Sequence, residues 1–266
     1  MNIVVCIKQI IDPEIPMSQF MIDPRTKRQV QGNNPLVISP YDANALEVAI
    51  QLKEKQGANV TAVSIGGTTA MTALKSALSL GANEAILVNE PLLAGSDQGG
   101  IAYALAKTIR KVGAYDLILT GCESGDWADR AVSAFLAEEL EIGYVGYVTR
   151  IEVKDGQVVV RRVVEDGYEL IEAKTPLLAA ISSDETNNPR YAKLRDIMTA
   201  AKKTIPVWKA ADLGLDPERI GAGAAKVAIT DVSIPVKESR CEMIAGNTPE
   251  EKAASLAARL RELKLI

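Results

Sequence analysis

The segment from Thr120 to Arg130, TGCESGDWADR, combines residue types that suit a bound nucleotide. It follows an apolar strand-like run and precedes a predicted helix, a place where ligands bind in α/β proteins. Gly121 would let the backbone approach a ligand closely, Asp126 could accept hydrogen bonds from ribose hydroxyls, and Arg130 could neutralise phosphate. Asp126 could equally do no more than cap the helix that follows.

Gly66 and Gly67 stand in a similar position, between a predicted strand and a predicted helix. Backbone N–H groups at a helix amino terminus bind phosphate, so this turn is a candidate phosphate contact. The pattern is unspecific, because glycines often open helices. The sequence contains neither GxGxxG nor GxxxxGK[ST], and it lacks the SGGxDS loop of ATP-using ligases.

The composition excludes several classes of chemistry. The chain of 266 residues has no histidine, which excludes Ser-His-Asp triads, Cys-His pairs and histidine metal ligands. The net charge of −4 lacks the basic excess typical of nucleic-acid-binding proteins. Cys6, Cys122 and Cys241 have no metal-like spacing and leave one cysteine unpaired, so we predict no metal site and a reduced compartment. We expect Cys6 and Cys122 to be inert, as buried strand cysteines commonly are.

No apolar run reaches the length of about 18 residues that a membrane span requires. The amino terminus leads directly into a strand pattern without a charged leader. We therefore expect a cytoplasmic protein with no membrane span.

Buried-strand patterns alternate with amphipathic helix patterns through the first half of the chain. Ser39 and Pro40 predict a helix start, whereas Gly57 and Gly81 predict helix ends. The alternation predicts an α/β fold, a doubly wound parallel sheet with helices on both faces. Predicted strands lie at 2–8, 59–65, 85–88 and 116–120, and predicted helices at 40–57, 69–80, from 96 or 97 onwards, and near 128–140.

The pattern changes at about residue 145. Runs at 148–153, 158–164 and 168–172 are separated by two Asp-Gly turns, which predicts an added antiparallel meander. A further buried strand is predicted at 176–182, where apolar residues follow one another without interruption.

The carboxyl-terminal residues contain only short apolar pieces and cannot form a core of their own. A capping box at 248–251 opens a final helix, on which Ala253, Leu256, Leu260 and Leu263 form one apolar stripe. Periodicity alone leaves open whether this stripe packs on the same chain or on a partner.

The stretch at 182–203, SSDETNNPRYAKLRDIMTAAKK, departs from the sheet pattern. Polar turn residues follow a buried strand, and Pro189 disfavours helix at the preceding residue, so we expect an exposed loop. Leu194 is flanked by Arg190, Tyr191, Lys193 and Arg195, an aromatic and basic rim typical of an interface. An ordinary surface loop is the alternative interpretation.

This stretch resembles the signature segment of the beta subunit of electron-transfer flavoproteins. The resemblance rests on NNPRYA at 187–192, Leu194, Ile197-Met198 and Lys202-Lys203, with VVCIKQ at 4–9, PYD at 40–42 and ADLG at 211–214. It covers nearly the whole chain. It implies an adenine-nucleotide α-hydrolase-like fold and a subunit without catalytic residues, which relays electrons together with an alpha subunit that holds redox FAD.

The resemblance also implies a nucleotide site in this subunit, occupied by AMP or by a second FAD. The corresponding positions are Cys6, Ser39, Gly66, Gly121, Asp126, Arg130 and Ser133. In flavin-binding, electron-bifurcating members the segment is close to DGDTAQVGP; here Asp129 and Ala131 replace its Thr and Gln, and Ser39 replaces an Asn found in many members. These changes favour AMP, while Arg130, as a bidentate donor to pyrophosphate, keeps FAD open.

For the partners, the resemblance implies that residues 182–203 are a recognition loop for acyl-CoA or other dehydrogenases. Leu194 would be its anchor, with Pro189, Arg190 and Tyr191 beside it. Electrons would pass on to a quinone- or ferredoxin-linked acceptor. Residues 1–203 would form the nucleotide-binding domain, and 204–266 an arm and helix that wrap the alpha subunit.

Two other functions fit parts of the sequence. One is a stand-alone adenine-nucleotide-binding stress protein of similar fold, for which the meander and the carboxyl-terminal residues would have no role. The other is an ATP-dependent ligase or transferase, which the missing phosphate loop and the absence of histidine oppose.

Overall fold

The apolar run at the amino terminus forms one of the central strands of a nine-stranded sheet in the described part of the chain. The computed structural model describes residues 1–154, 157–235 and 241–266. These residues divide into two units, Met1–Thr230 and Asp231–Ile266. The first unit contains the sheet.

Strands and helices alternate regularly along the chain from residue 36 to residue 140. The strands are β1 (Asn2–Cys6), β2 (Gln9–Ile11), β3 (Ile22–Asp23), β4 (Arg28–Gln29), β5 (Leu36–Ile38), β6 (Asn59–Ile65), β7 (Glu84–Val88), β8 (Leu117–Gly121), β9 (Gly143–Lys154), β10 (Gln157–Val164), β11 (Gly167–Ala173), β12 (Leu177–Ile181) and β13 (Val207–Trp208). The helices are α1 (Pro40–Gln56), α2 (Met71–Leu80), α3 (Gln98–Val112), α4 (Val132–Leu140), α5 (Leu194–Lys202), α6 (Ala210–Leu213) and α7 (Pro249–Glu262).

The sheet has the strand order β11-β10-β9-β12-β8-β1-β6-β7-β13. In this spatial order, each strand from β12 through β8, β1, β6 and β7 to β13 pairs in parallel with its neighbour, and β12 is also parallel to β9. The strands β9, β10 and β11 form the antiparallel meander. The predicted α/β fold and meander are therefore confirmed. Of the two predicted Asp-Gly turns, the one at 155–156 lies outside the described residues.

Alternate residues of β1 pack on opposite faces of the sheet. Ile3 and Val5 join the core under α1 and α2, whereas Val4 joins the core under α3 and α4. Each such side chain contributes about 1.5–3 kcal/mol when fully buried. Both faces of the central strands are therefore closed, and their carboxyl ends form the open edge of this layer.

Helix α1 begins and ends as predicted, at Pro40 and before Gly57, whose φ of 70° closes the helix. Helix α4 begins at Val132, four residues later than predicted. Ala128 and Arg130 have φ angles of 51° and 57°, a left-handed conformation that cannot continue a helix. Residues 122–131 are a loop for this reason.

The predicted domain boundary at 203 differs from the division that the structure shows. Residues 207–208 add β13 to the edge of the sheet, where they pair with β7. Leu213, Leu215 and Ile220 are buried in one cluster with Tyr103 of α3. Residues 204–230 thus complete the first unit, because they bury their short apolar pieces on its core.

The second unit contains α7, which opens at Thr248 as predicted. The Thr248 side chain accepts a hydrogen bond from the Glu251 amide at 3.2 Å. Leu256 and Leu263 of the predicted apolar stripe are exposed.

The stretch at 182–203 is a loop only in its first half. Leu194 is the first residue of α5, and Ala200 on the same helix is buried in the core cluster that includes α2. The expectation of a continuous exposed loop was wrong for 194–202, because one small-residue face of this segment packs on α2. Among the described helices, none combines the length and apolar character of a bilayer-spanning segment.

Candidate functional site

A cavity of about 870 Å³ opens at the carboxyl ends of β1, β6, β7 and β8. This volume lies within the usual range for small-molecule sites, about 300–1,000 Å³. The cavity is lined by all but one of the residues predicted to bind a cofactor: Cys6, Gly66, Gly121, Asp126, Arg130 and Ser133. The sheet topology explains this, because the ends of parallel strands meet at one edge.

Ser39 is the predicted residue that does not line the cavity. It is fully buried, and its Oγ accepts a hydrogen bond from the Gly125 amide at 3.1 Å. It makes no side-chain cap of α1 either. The loop at 122–131 folds back over the start of α1. The Ser39 hydroxyl therefore anchors the backbone of this loop on the side away from the cavity.

Asp42 is a site residue that the sequence interpretation missed. Its carboxylate accepts hydrogen bonds from the amide of Gly121 at 2.8 Å and from the amide of Lys8 at 2.9 Å. Burial raises the pKa of Asp42 to about 7, although both amides and the Lys8 charge lower it. The PYD sequence at 40–42 had drawn attention only as a helix start.

Gly121 is required by packing against α1. A Cβ at this position would lie 2.7 Å from Asp42 Oδ1 and 2.8 Å from the Tyr41 Cβ. Gly66 is similarly confined, since its Cβ would lie 3.0 Å from that of Ala70. The Gly66 amide donates to Val88 O at 3.0 Å, so this N–H belongs to the sheet and is not a phosphate donor.

Ion pairs hold the charged residues at the cavity mouth. Lys8 Nζ lies 2.7 Å from Asp126 Oδ1, and Arg130 pairs with Glu123. Asp126 therefore does not cap α4, whose N-cap residue is Ala131. The guanidinium of Arg130, which was predicted to contact phosphate, is directed to Glu123 in the free chain.

Ser133 and the two strand-end cysteines line the wall nearest the sheet. The Ser133 hydroxyl lies 2.8 Å from the Thr120 hydroxyl and donates to Gly121 O at 3.3 Å. Burial raises the pKa of both Cys6 and Cys122. A raised pKa disfavours the thiolate, which is the nucleophilic form of cysteine.

The outer wall of the cavity is formed by two segments for which the sequence predicted no role in ligand binding. One is the β3–β4 hairpin with Lys27 and Arg28, and the other is the stretch at 222–229. Lys27 Nζ donates to Ile229 O at 2.8 Å, which joins the two segments across the cavity. No sequence signal predicts this, because the two segments are about 200 residues apart and neither carries a motif.

The cavity lining combines charged and apolar side chains. The charged side chains include Lys8, Asp126 and Arg130. The apolar side chains include Leu93, Ile101, Leu105, Val227 and Ile229. Such a site can take a ligand that joins phosphate and hydroxyl groups to a planar aromatic ring.

A second surface is formed by the segment after β12 and by α5. Tyr191 and Leu194 are 98% and 74% exposed, and Ile197 and Met198 on the next turn of α5 are exposed as well. Arg190, predicted as a charge of this rim, instead pairs with Glu47 and Glu54 of α1. The exposed apolar residues lie at i, i+3 and i+4, so they share one face of the helix.

Comparison with known proteins gives consistent results. Residues 29–213 match the sequence model of the electron transfer flavoprotein domain. The chain is 39% identical to the electron transfer flavoprotein subunit beta of Thermoanaerobacterium thermosaccharolyticum, with 100% of both chains covered. It is 35% identical to the caffeyl-CoA reductase-Etf complex subunit CarD of Acetobacterium woodii, again over 100% of both chains. It is also 35% identical to protein FixA of Azotobacter vinelandii, over 97% of this chain and 93% of that protein.

Proposed function

Because this chain belongs to the beta subunits of the electron transfer flavoprotein family, we propose that it binds an adenine nucleotide and docks a dehydrogenase within a heterodimer. In that complex an alpha subunit would hold the redox FAD. Electrons would pass from the dehydrogenase through this FAD to a quinone- or ferredoxin-linked acceptor. The beta subunit would contribute binding surfaces and no catalytic group.

The cavity at the strand ends is the observation that carries the nucleotide part of the proposal. Asp126 offers carboxylate oxygens to ribose hydroxyls, and Lys8 and Arg130 offer cations to phosphate. Both cations are paired with carboxylates in the free chain, so a phosphate would exchange one ionic partner for another. Lys27 and Arg28 add two further cations on the outer wall.

AMP and FAD place different demands on this cavity. The loss of the family's Thr and Gln at 129 and 131 supports AMP. A volume of about 870 Å³, with Ile101 and Leu105 among the apolar lining residues, provides more room than AMP fills, which supports FAD. Acid release of the nucleotides from the purified heterodimer, followed by chromatography, decides between them. One FAD and one AMP per complex would identify AMP in this site, and two FAD without AMP would identify FAD.

An exposed sheet face supports a protein partner of the size of an alpha subunit. Tyr144 of β9, Val163 of β10, and Tyr168 and Leu170 of β11 are all exposed. Apolar patches of this kind on a sheet mark protein interfaces. The names of the relatives, a subunit beta and a subunit of a reductase complex, describe proteins that assemble with others.

The apolar face of α5 supports docking of a dehydrogenase. Leu194, Ile197 and Met198 project from one helix face, with Tyr191 beside them and Lys193 and Arg195 at the rim. A small apolar centre with a charged rim is the usual anatomy of a transient interface. An acyl-CoA dehydrogenase is a suitable partner class for the first test.

The test of the whole proposal is co-expression with an alpha-subunit chain. We expect a yellow heterodimer whose flavin is reduced by a dehydrogenase at a rate that saturates with dehydrogenase concentration. A chain that purifies alone and never retains flavin with an alpha subunit would overturn the proposal. A complex with one FAD and no second nucleotide would overturn only the assignment of the cavity.

A further inference from the structure

We propose that Arg190 is a positioning residue, which holds the segment carrying Tyr191 and Leu194 in a fixed orientation on α1 before a dehydrogenase binds. The inference rests on the proposed docking function, and it assigns Arg190 a role different from that of a rim charge. It predicts that the docking surface is ordered in the free heterodimer.

The contacts of Arg190 use its whole guanidinium fork. Its Nε and Nη2 lie 2.9 Å from the two carboxylate oxygens of Glu47, and its Nη2 also lies 3.0 Å from Glu54 Oε2. Nη1 contacts the other oxygen of Glu54. The two carboxylates are seven residues apart, so they lie on the same face of α1.

The ion pair with Glu47 lies away from solvent. The side chain of Glu47 is 7% exposed, that of Arg190 is 35% exposed, and that of Glu54 is 57% exposed. Burial opposes ionisation of Glu47, yet the hydrogen bonds from Arg190 and Gln51 keep the pKa of Glu47 below its usual value. Arg190 is thus bound to a charged carboxylate, and the Arg190 side chain is not free to bind a dehydrogenase.

The rest of α1 binds the same segment. Asn44 Nδ2 donates to Asn187 O at 3.0 Å, and Gln51 Nε2 donates to Thr186 O at 2.9 Å. The Arg190 amide also donates to Glu47 Oε2 at 3.3 Å. The backbone from 186 to 190 is therefore anchored by α1 at three places.

The other end of the surface is anchored by α2. Lys75 Nζ donates to Ala200 O at 3.1 Å and to Ala201 O at 2.9 Å, at the carboxyl end of α5. Between the two anchors, Tyr191 is almost fully exposed and Leu194 is mostly exposed. Their orientation therefore depends on the backbone on either side.

Ordering a loop during association reduces affinity, and a segment that is already ordered avoids this cost. Arg190→Gln and Arg190→Lys should both raise the KM for the dehydrogenase about two- to tenfold, the range expected when one segment must be ordered on binding. Lys keeps the charge but cannot bridge two carboxylates with a planar fork. The rate at saturating dehydrogenase should not change, because the docked complex is the same.

The experiment uses the intact heterodimer and an acyl-CoA dehydrogenase from the same organism, reduced by its substrate. Flavin reduction gives KM and kcat for the dehydrogenase, and hydrogen exchange reports the protection of the amides in 186–197. The variants are Arg190→Gln, Arg190→Lys and Glu54→Gln, the last of which removes the charge of a largely exposed carboxylate. Arg195→Gln is the matched control, because Arg195 is an arginine of the same surface with an 88% exposed side chain.

We expect faster exchange in 186–197 for the Arg190 variants and unchanged exchange for Arg195→Gln. Wild-type exchange in both Arg190 variants would overturn the positioning role, whatever happens to KM. A raised KM with wild-type exchange would make Arg190 a direct contact and also overturn it. The docking function is judged separately by Leu194→Ala, which should raise KM without altering exchange in this segment.

Discussion

The buried carboxylate of Asp42 accepts a hydrogen bond from the amide nitrogen of Gly121 at 2.8 Å, which joins the first turn of α1 to the last residue of β8. Its second oxygen accepts from the Lys8 amide, just beyond β1. One side chain therefore fixes the spacing of two strand ends that border the cavity. It also makes the stability of this region dependent on pH.

Asp42→Asn should reduce the pH dependence of stability. The pKa of Asp42 is raised from 3.8 to about 7 by burial. Between about pH 4 and pH 7 the folded state therefore keeps a proton that the unfolded state has already released, and the free energy of unfolding falls as pH rises through this window. Urea denaturation between about pH 5 and pH 8 should therefore show a smaller decrease in the free energy of unfolding for Asp42→Asn than for the wild type. An identical slope in both proteins would contradict a raised pKa at Asp42.

Gly121→Ala should destabilise the first unit by about 1–3 kcal/mol, because its Cβ overlaps with Asp42 Oδ1 and the Tyr41 Cβ. The control is Gly223→Ala, since a Cβ at 223 meets nothing within 4 Å. Urea denaturation measures the change in the free energy of unfolding of both variants. Equal stability of the two variants would mean that α1 shifts easily and that Asp42 does not fix its position.

Asp126→Ala should weaken binding of AMP by about tenfold or more, because a charged hydrogen-bond acceptor for the ribose is lost. Asp129→Ala is the informative control. It removes a carboxylate from the same cavity, but one that repels phosphate. The affinity of this variant for AMP should therefore be unchanged or higher. Calorimetric titration of nucleotide-free heterodimer with AMP gives both constants. Weaker binding in Asp129→Ala than in Asp126→Ala would reverse the two assignments.

Leu194→Ala should raise the KM for the dehydrogenase about 30-fold, which corresponds to the ~2 kcal/mol typical of an interface anchor. Heterodimer formation and flavin content should be normal, because Leu194 is largely exposed and contributes little to the core. Leu92→Ala is the matched control, since Leu92 is also exposed but lies elsewhere. If the two variants have the same KM, α5 is not the docking surface.

Leu170→Asp should prevent assembly with the alpha subunit while leaving the chain folded. Leu170 is 67% exposed on β11, so a carboxylate is tolerated in the free chain but not in an apolar interface. Glu172→Asp on the same strand serves as a control with little change. Co-purification with a tagged alpha subunit and circular dichroism of the free variant measure the two effects. Normal assembly of Leu170→Asp would exclude this face as the interface.

The sequence by itself determined the local elements and the class of the fold. Uninterrupted apolar runs predicted β1 and β6, Pro40 and Gly57 predicted the ends of α1, and the Asp-Gly pair at 166–167 predicted the turn between β10 and β11. These features depend on short-range preferences, which neighbouring residues decide. The resemblance to a known family named six of the residues that line the cavity.

Only the tertiary structure decided which side chains meet across long distances in the chain. It buried Ser39, which had been predicted to bind the nucleotide, beneath the 122–131 loop, and it directed Arg190 to Glu47 of α1. It also brought Lys27 to Ile229, from two segments without any motif. The physical reason is that hydrogen bonds and ion pairs form where the packed backbone places their partners. That placement is a property of the whole sheet and its helices, which no local pattern of residues contains.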